Sequence, residues 1–198
     1  MGLGDLCTLE DVKRAHDLTT DVYDAAIVQY ITEASDAVHR ACRPRILIRD
    51  TTASDRYYTP RDAVDGELLI DDLTATPTAV AFLTATGEVA WTLNVAADVI
   101  AEPRNRDATE PVTSLRFRPS APPVTTATEI RVTGVWGFPQ VPESAVNATI
   151  EAVRHWLRTT QAVSTQAPET DDTGRAAIAA LPSRSREMLR PLRGIRVA

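Results

Sequence analysis

The stretch Val132-Thr133-Gly134-Val135-Trp136-Gly137-Phe138-Pro139-Gln140-Val141-Pro142 constrains the fold more than any other part of the chain. Just before and into it, Ile130 and Val132 alternate with Glu129, Arg131 and Thr133, the period-2 pattern of a half-buried strand. Gly134, Gly137 and Pro139 then interrupt the strand, and the irregular backbone between them can swing Trp136 and Phe138 onto a core. A helix follows from Pro142, whose fixed φ and missing N–H suit a first helical turn. Along that helix Val146, Ile150, Val153 and Leu157 recur at three- and four-residue steps, so they share one face. The rest of the chain must close against this strand, corner and helix.

Two helices are expected ahead of it. Thr8-Leu9-Glu10-Asp11 sets a hydroxyl three residues before a carboxylate, a capping-box variant that starts a helix over 8–16. Asp17 to Asp21 offers new caps for a second helix over 21–42, in which Tyr23, Ile27, Tyr30 or Ile31, Ala34, Val38 and Ala41 repeat at helical spacing before Arg43-Pro44. The third helix spans 142–163. Between them the period changes to two. Arg45–Arg49 is a short apolar run, Arg56–Thr59 and Glu67–Ile70 are candidate strands, and Asp65-Gly66 is a turn signal. Thr78–Leu83 and Val89–Leu93 form a hairpin about Thr84–Glu88, with Val80 and Phe82 facing the same way as Val89, Trp91 and Leu93. Leu115 and Phe117 lie on a further strand, and Ile130–Val135 closes the sheet. Residues 94–111 read as a long loop carrying Arg104 and Arg106, and 119–128 as a Pro-rich connection. Neither holds a glycine, so neither cradles phosphate. The fold class expected is α+β: a small helical core of about three main helices, an inserted antiparallel β-region over 45–136, and a C-terminal arm ending in a short helix.

Charge separates that arm from the body. Residues 175–198 carry six arginines against Glu187 alone, or +5, so the rest of a chain of net charge -6 carries -11. An acidic body argues against a DNA-gripping surface, and a basic arm seeks an acidic or carbonyl-rich partner. Leu181, Met188, Leu189 and Leu192 are too few to fold alone, which reads as an arm awaiting a surface. At 198 residues and 43% hydrophobic content one domain with extensions is the prior. No stretch is long and apolar enough for a membrane span, and the start lacks a signal-peptide pattern, so a soluble, intracellularly made protein is expected.

Nor does the chain present a reactive constellation. His16, His39 and His155 sit on expected helices without a neighbouring acid and hydroxyl, and His39 and His155 read as exposed or capping residues. The pair Asp71-Asp72 and the cluster Glu169, Asp171 and Asp172 lack metal-ligand spacing. Cys7 and Cys42 read as small buried hydrophobes. Phosphate, dinucleotide and zinc signatures are missing, so no catalytic, cofactor or metal residues are assigned. Trp91 and Trp136 read as core, whereas Trp156, beside the apolar stripe, reads as an interface anchor.

The order of elements resembles the head-to-tail connector, or adaptor, proteins of long-tailed bacteriophages. The likeness rests on Leu6–Lys13, on Tyr30–Val38 followed by Cys42-Arg43-Pro44, on the Gly-Trp-Gly-Phe-Pro corner within Val132–Ala148, and on the closing Leu189-Arg190-Pro191-Leu192-Arg193. The resemblance implies an adaptor domain over 1–163 and a linker and docking arm over 164–198. It implies a structural virion protein made in the host cytoplasm, a ring generally of twelve copies beneath the portal protein. A stopper or tail-completion protein joins its other side, and genomic DNA passes through without sequence-specific binding. No membrane or cofactor enters that role. Arg184, Arg186, Met188, Leu189, Arg190, Leu192 and Arg193 are then the portal-binding arm, and Arg104 and Arg106 face the lumen or the next ring. Competing readings are a stopper or tail-completion protein, which would be mainly β, a small enzyme with its site in the irregular middle, and a DNA-binding packaging factor.

Overall fold

A computed structural model describes residues 4–165 and 181–192, with side chains described up to 159 and again from 181. The protein is α+β. The described residues form five helices, α1 (Leu9–Ala15), α2 (Asp24–Cys42), α3 (Val95–Asp98), α4 (Glu143–Thr165) and α5 (Ser183–Met188). Eight strands make two antiparallel sheets: β1 (Ser54–Tyr58), β2 (Ala63–Val64), β3 (Glu67–Leu73), β4 (Ala79–Leu83), β5 (Val89–Thr92), β6 (Val99–Glu102), β7 (Val112–Phe117) and β8 (Glu129–Gly134). Two compact units result, one formed by Ile48–Gln140 and the other by the two flanking parts of the chain.

In the helical unit α1 begins with the expected box. Thr8 Oγ1 accepts from the Asp11 N–H at 3.2 Å, and the Thr8 N–H donates to Asp11 Oδ2 at 2.9 Å. Two orphan donors of the first turn are thereby satisfied. The helix stops at His16, after which Asp17 takes a φ of 51°. No side chain caps α2, contrary to the expectation for 17–21. Its N-cap is Tyr23, and the carboxylates of Asp21 and Asp24 instead hold Lys13 Nζ at 2.6 and 2.9 Å. A carboxylate that can reach the chain's only lysine gains more from that charge-assisted bond than from a neutral cap.

Ile27, Ile31, Ala34 and Val38 turn the apolar face of α2 inward. Of these, Ile27, Ile31 and Ala34 pack with Cys7, Val12, Ala152, Val153 and Trp156. Ser35, His39 and Cys42 are buried on α2 as well, with Leu6 N–H donating to Ser35 Oγ at 3.0 Å and His39 Nε2 bonding the Gly4 carbonyl at 3.2 Å. The expectation that His39 is exposed is therefore corrected. The N-terminal segment folds over that end of α2 and supplies an acceptor, which lets an imidazole be buried.

The buried stripe of α4 is rotated from the sequence reading. Ala145, Ala148, Thr149, Ala152, Val153 and Trp156 are buried, while Val146, Ile150 and Leu157 flank them, partly covered. Ala152 against Ala34 allows closer helix approach than branched side chains would, and Thr149 satisfies its own hydroxyl on the Ala145 carbonyl at 2.9 Å. Trp156 is only 1% exposed and edge-on to Tyr30, with ring centroids 6.2 Å apart, so it is a core residue and not a surface anchor.

The β-unit has strand orders β1-β8-β4-β5 and β2-β3-β7-β6. Asp65 and Gly66, at φ 51° and 77°, join β2 to β3 in the positive-φ geometry that a two-residue hairpin turn requires. Phe82 of one sheet meets Phe117 of the other edge-on at 5.5 Å, among buried Leu68, Leu73, Val80, Leu115, Ile130 and Val132. Three expectations change here. Residues 94–111 are not one loop: Asn94 caps α3 through Ala97 N–H at 3.3 Å, and β6 pairs Val99 to Glu102 with Phe117 to Ser114 of β7. Arg45–Arg49 belongs to no strand, although Leu47 is buried. Trp91 is 53% exposed, because β5 is an edge strand whose residues are all solvent-facing.

After β8 the chain turns through the Gly/Pro corner. Trp136 Nε1 donates to the Ser54 carbonyl at 3.0 Å, and the Arg56 guanidinium lies 4.5 Å from its ring centre. The backbone is pinned from both sides, by Asp50 N–H to the Trp136 carbonyl and Gly137 N–H to the Asp72 carbonyl, each at 2.7 Å. Gly137 has φ +105°, a conformation that side-chain-bearing residues avoid.

Candidate assembly surfaces

The basic segment does not wait for a surface. Ser185, Leu189 and Leu192 recur at helical spacing and are buried against the helical unit, with α5 packed on α4 and Leu181 on the edge of the core. Off that stripe Arg184, Arg186 and Arg190 are all exposed, and Met188 is half-buried. Arg184 lies 3.8 Å from Glu151 and Arg190 3.6 Å from Glu187. Such solvent-facing pairs contribute at most about 1 kcal/mol, so these guanidiniums remain available to a partner. Leu189 and Leu192, placed in the portal contact by the sequence reading, are occupied in anchoring the segment. Arg193 lies outside the described residues, as do Glu169, Asp171 and Asp172.

In the β-unit Arg104 is exposed, its N–H donating to Glu102 Oε2 at 3.0 Å and its Nε 3.4 Å from Glu102 Oε1. With Glu67, Glu102, Ser114 and Arg116 it borders an open hollow of about 650 Å³. Glu67 there accepts from Ser114 Oγ at 2.6 Å and from Arg116 Nη2 at 2.9 Å. Two carboxylates offset two guanidiniums, which makes a wet polar surface without a strong field of either sign. Arg106 is half-buried and does not border this hollow. Trp136 and Phe138 are buried and unavailable to any partner.

The titratable groups serve the fold. Asp71 and Asp72 lie within β3, not after it. Asp71 Oδ2 binds Arg56 Nη1 at 2.8 Å and accepts from the Tyr58 hydroxyl at 3.2 Å. Burial, more than the Asp71 charge, pushes that phenol well above its ordinary range. Burial also raises the Cys7 thiol to about 12, with Asp11 and Asp5 adding to it, so it is not a nucleophile at neutral pH. Burial lowers His39, partly opposed by the Gly4 carbonyl. His155 is exposed. Among the described residues no cluster of three His, Cys, Asp or Glu side chains could hold a metal, and no helix is long and apolar enough to cross a membrane.

One cluster escaped the sequence reading: His16 shares a cleft with Arg154 and Arg158. The i,i+4 arginines on α4 were legible as neighbours, but their meeting with a residue at the end of α1 is tertiary. Comparison with family models, curated proteins and solved structures finds no match to this chain.

Proposed function

We propose that the protein is a head-to-tail adaptor of a long-tailed bacteriophage, a non-enzymatic virion component at the neck. The resemblance noted above supports the reading, together with a helical unit built from both flanks of an inserted β-unit. In this role three main helices, α1, α2 and α4, form the ring body, and copies repeat one heterologous contact until a ring of twelve closes. The observation that carries the proposal is the exposed set of Arg184, Arg186 and Arg190 on an acidic body. It offers guanidinium forks to portal carbonyls and carboxylates, while Leu189 and Leu192 hold the segment to the helical unit. The acidic body repels the phosphate backbone, so packaged DNA slides past without sequence-specific contacts. Arg104, with Arg106 on the same loop, meets the lumen or the next ring, a stopper or tail-completion protein.

The test is native mass spectrometry of the protein alone and with its cognate portal. A stoichiometric ring on the portal, lost in the triple variant Arg184→Glu, Arg186→Glu, Arg190→Glu, is the expected result. A wild-type protein that never binds portal refutes the adaptor role, and full binding by the triple variant moves the docking surface elsewhere. A stopper or tail-completion role is the second reading, favoured by the two four-stranded sheets. It predicts binding to an assembled portal–adaptor complex and none to portal alone.

A further inference from the structure

Within the helical unit a cleft of about 400 Å³ opens between the α1–α2 connection and α4, at the small end of the range for organic-ligand sites. Its wall is of two kinds. Ala15, Leu18, Ile27 and Leu157 supply apolar surface, and Arg154 and Arg158 border the same space. The two arginines are one turn apart on α4, so their side chains are neighbours and their like charges repel. Arg158 pairs with none of the described residues. Arg154 Nη1 has only a loose contact with Glu151, at 3.6 Å, and Arg184 shares that carboxylate at 3.8 Å.

The other groups in the wall narrow what can enter. His16 Nε2 is enclosed by protein atoms and offers nothing to a ligand. Burial first, then the Arg154 charge with Arg158 adding less, lowers the His16 pKa against the Ile150 carbonyl and Glu151, so the ring is neutral at pH 7. The action of both charges on a ring in this wall agrees with both guanidiniums standing at the cleft. Asp17, an exposed carboxylate on the rim, disfavours a dianion more than a monoanion. A carboxylate meets these demands: its two oxygens fit guanidinium forks, and its single charge relieves the Arg154–Arg158 repulsion. A bare inorganic anion would leave the apolar wall uncovered, and a neutral apolar molecule would leave the repulsion in place. Tyr23, 44% exposed on the rim, presents a ring to an aryl group.

We propose that this cleft binds a small apolar monocarboxylic acid of the arylalkanoate class. The carboxylate lies between Arg154 and Arg158, and the hydrocarbon body covers Leu18, Ile27 and Leu157 beside Tyr23. The assignment does not depend on the adaptor role.

The experiment is titration of the full chain with 4-phenylbutyrate, followed by calorimetry and by NMR of the arginine side-chain N–H groups and the leucine methyls. The comparators are 4-phenylbutan-1-ol, which lacks the carboxylate, acetate, which lacks the apolar body, and inorganic phosphate. Expected is a Kd on the order of 1 mM for 4-phenylbutyrate, with shifts at Arg158 and at the methyls of Leu18 and Leu157, and binding of each comparator weaker by about tenfold or more. Arg158→Gln changes an exposed side chain, so its thermal melt should match the wild type while its Kd rises about fivefold or more. Arg14→Gln, at an exposed arginine of α1 that does not border the cleft, removes the same charge and should leave the Kd unchanged. Absence of binding at about 20 mM overturns the proposal. So does any comparator binding as tightly as 4-phenylbutyrate, equal weakening by the two substitutions, or saturation with shifts confined to residues outside the cleft. Should Arg158→Gln lower the melt, the comparators on the wild-type chain decide alone.

Discussion

Replacing Gly137 with alanine should be among the most damaging one-carbon changes in the β-unit. The glycine sits at φ +105°, where a side chain strains the backbone by about 1–2 kcal/mol. A Cβ there would collide with the Ile48 carbonyl oxygen and lie 2.8 Å from both Ile48 C and Arg49 Cα. Those are backbone atoms that cannot rotate aside, and the two 2.7 Å hydrogen bonds of the Trp136–Gly137 peptide restrict any shift of the corner. Overpacking of this kind costs a further ~1–3 kcal/mol, for a total of about 2–5 kcal/mol. With a urea slope of about 2 kcal/mol/M, the midpoint should fall by roughly 1–2.5 M. Gly87→Ala is the matched control, since Gly87 also has positive φ, +80°, but nothing lies within 4 Å of its added carbon. It should cost only about 1 kcal/mol of backbone strain. Urea melts followed by tryptophan fluorescence and far-UV circular dichroism measure both variants. Equal losses for the two, or a Gly137→Ala loss below about 1 kcal/mol, would refute the argument that the corner is closed by backbone contact.

Three further outcomes are expected. Trp156→Ala should destabilise by about 3–5 kcal/mol in urea, with Trp156→Phe much milder because it keeps a ring against Tyr30; a loss below about 1 kcal/mol would show the residue is not in the core. Thr8→Ala removes one side of the capping box and should cost about 1 kcal/mol, read as faster amide exchange confined to α1; unchanged exchange there would exclude the cap. His39 is depressed in the fold by burial, so the unfolded chain takes up its proton first and the stability contributed by the neutral ring, present above the ordinary histidine range, is lost as pH falls through that range towards the folded value. The Gly4 carbonyl and Asp36 oppose the shift, and His16 titrates in the same sense. Melts between about pH 7.5 and pH 5 should therefore slope less steeply in His39→Gln than in the wild type, and identical slopes would place His39 outside the effect.

Features set by neighbours along the chain were readable in advance. The Thr8–Asp11 box, the end of α2 ahead of Pro44, the Asp65-Gly66 hairpin, the β4–β5 pairing and the break of β8 at Gly134 all depend on residues within a few positions of one another. The arginine-rich character of the last segment is likewise a property of composition alone. Other features required a partner from far along the chain. β6 exists as a strand because β7 supplies its hydrogen bonds, and Trp91 stays exposed because its strand falls at a sheet edge. On α4 the heavier residues Val146, Ile150 and Leu157 suggested one buried face, but close approach to α2 selected the alanine stripe and carried Trp156 inward. His39 was buried by an N-terminal carbonyl thirty-five residues away, and Leu189 and Leu192 by the helical unit they fold onto. Periodicity identifies which residues share a face, whereas burial of that face depends on which surface of matching shape the chain brings back to it. The cleft of His16, Arg154 and Arg158 is the clearest case. Each residue alone was an ordinary helix-end or helix-surface group, and only the packing of α1 against α4 encloses the imidazole beside two cations.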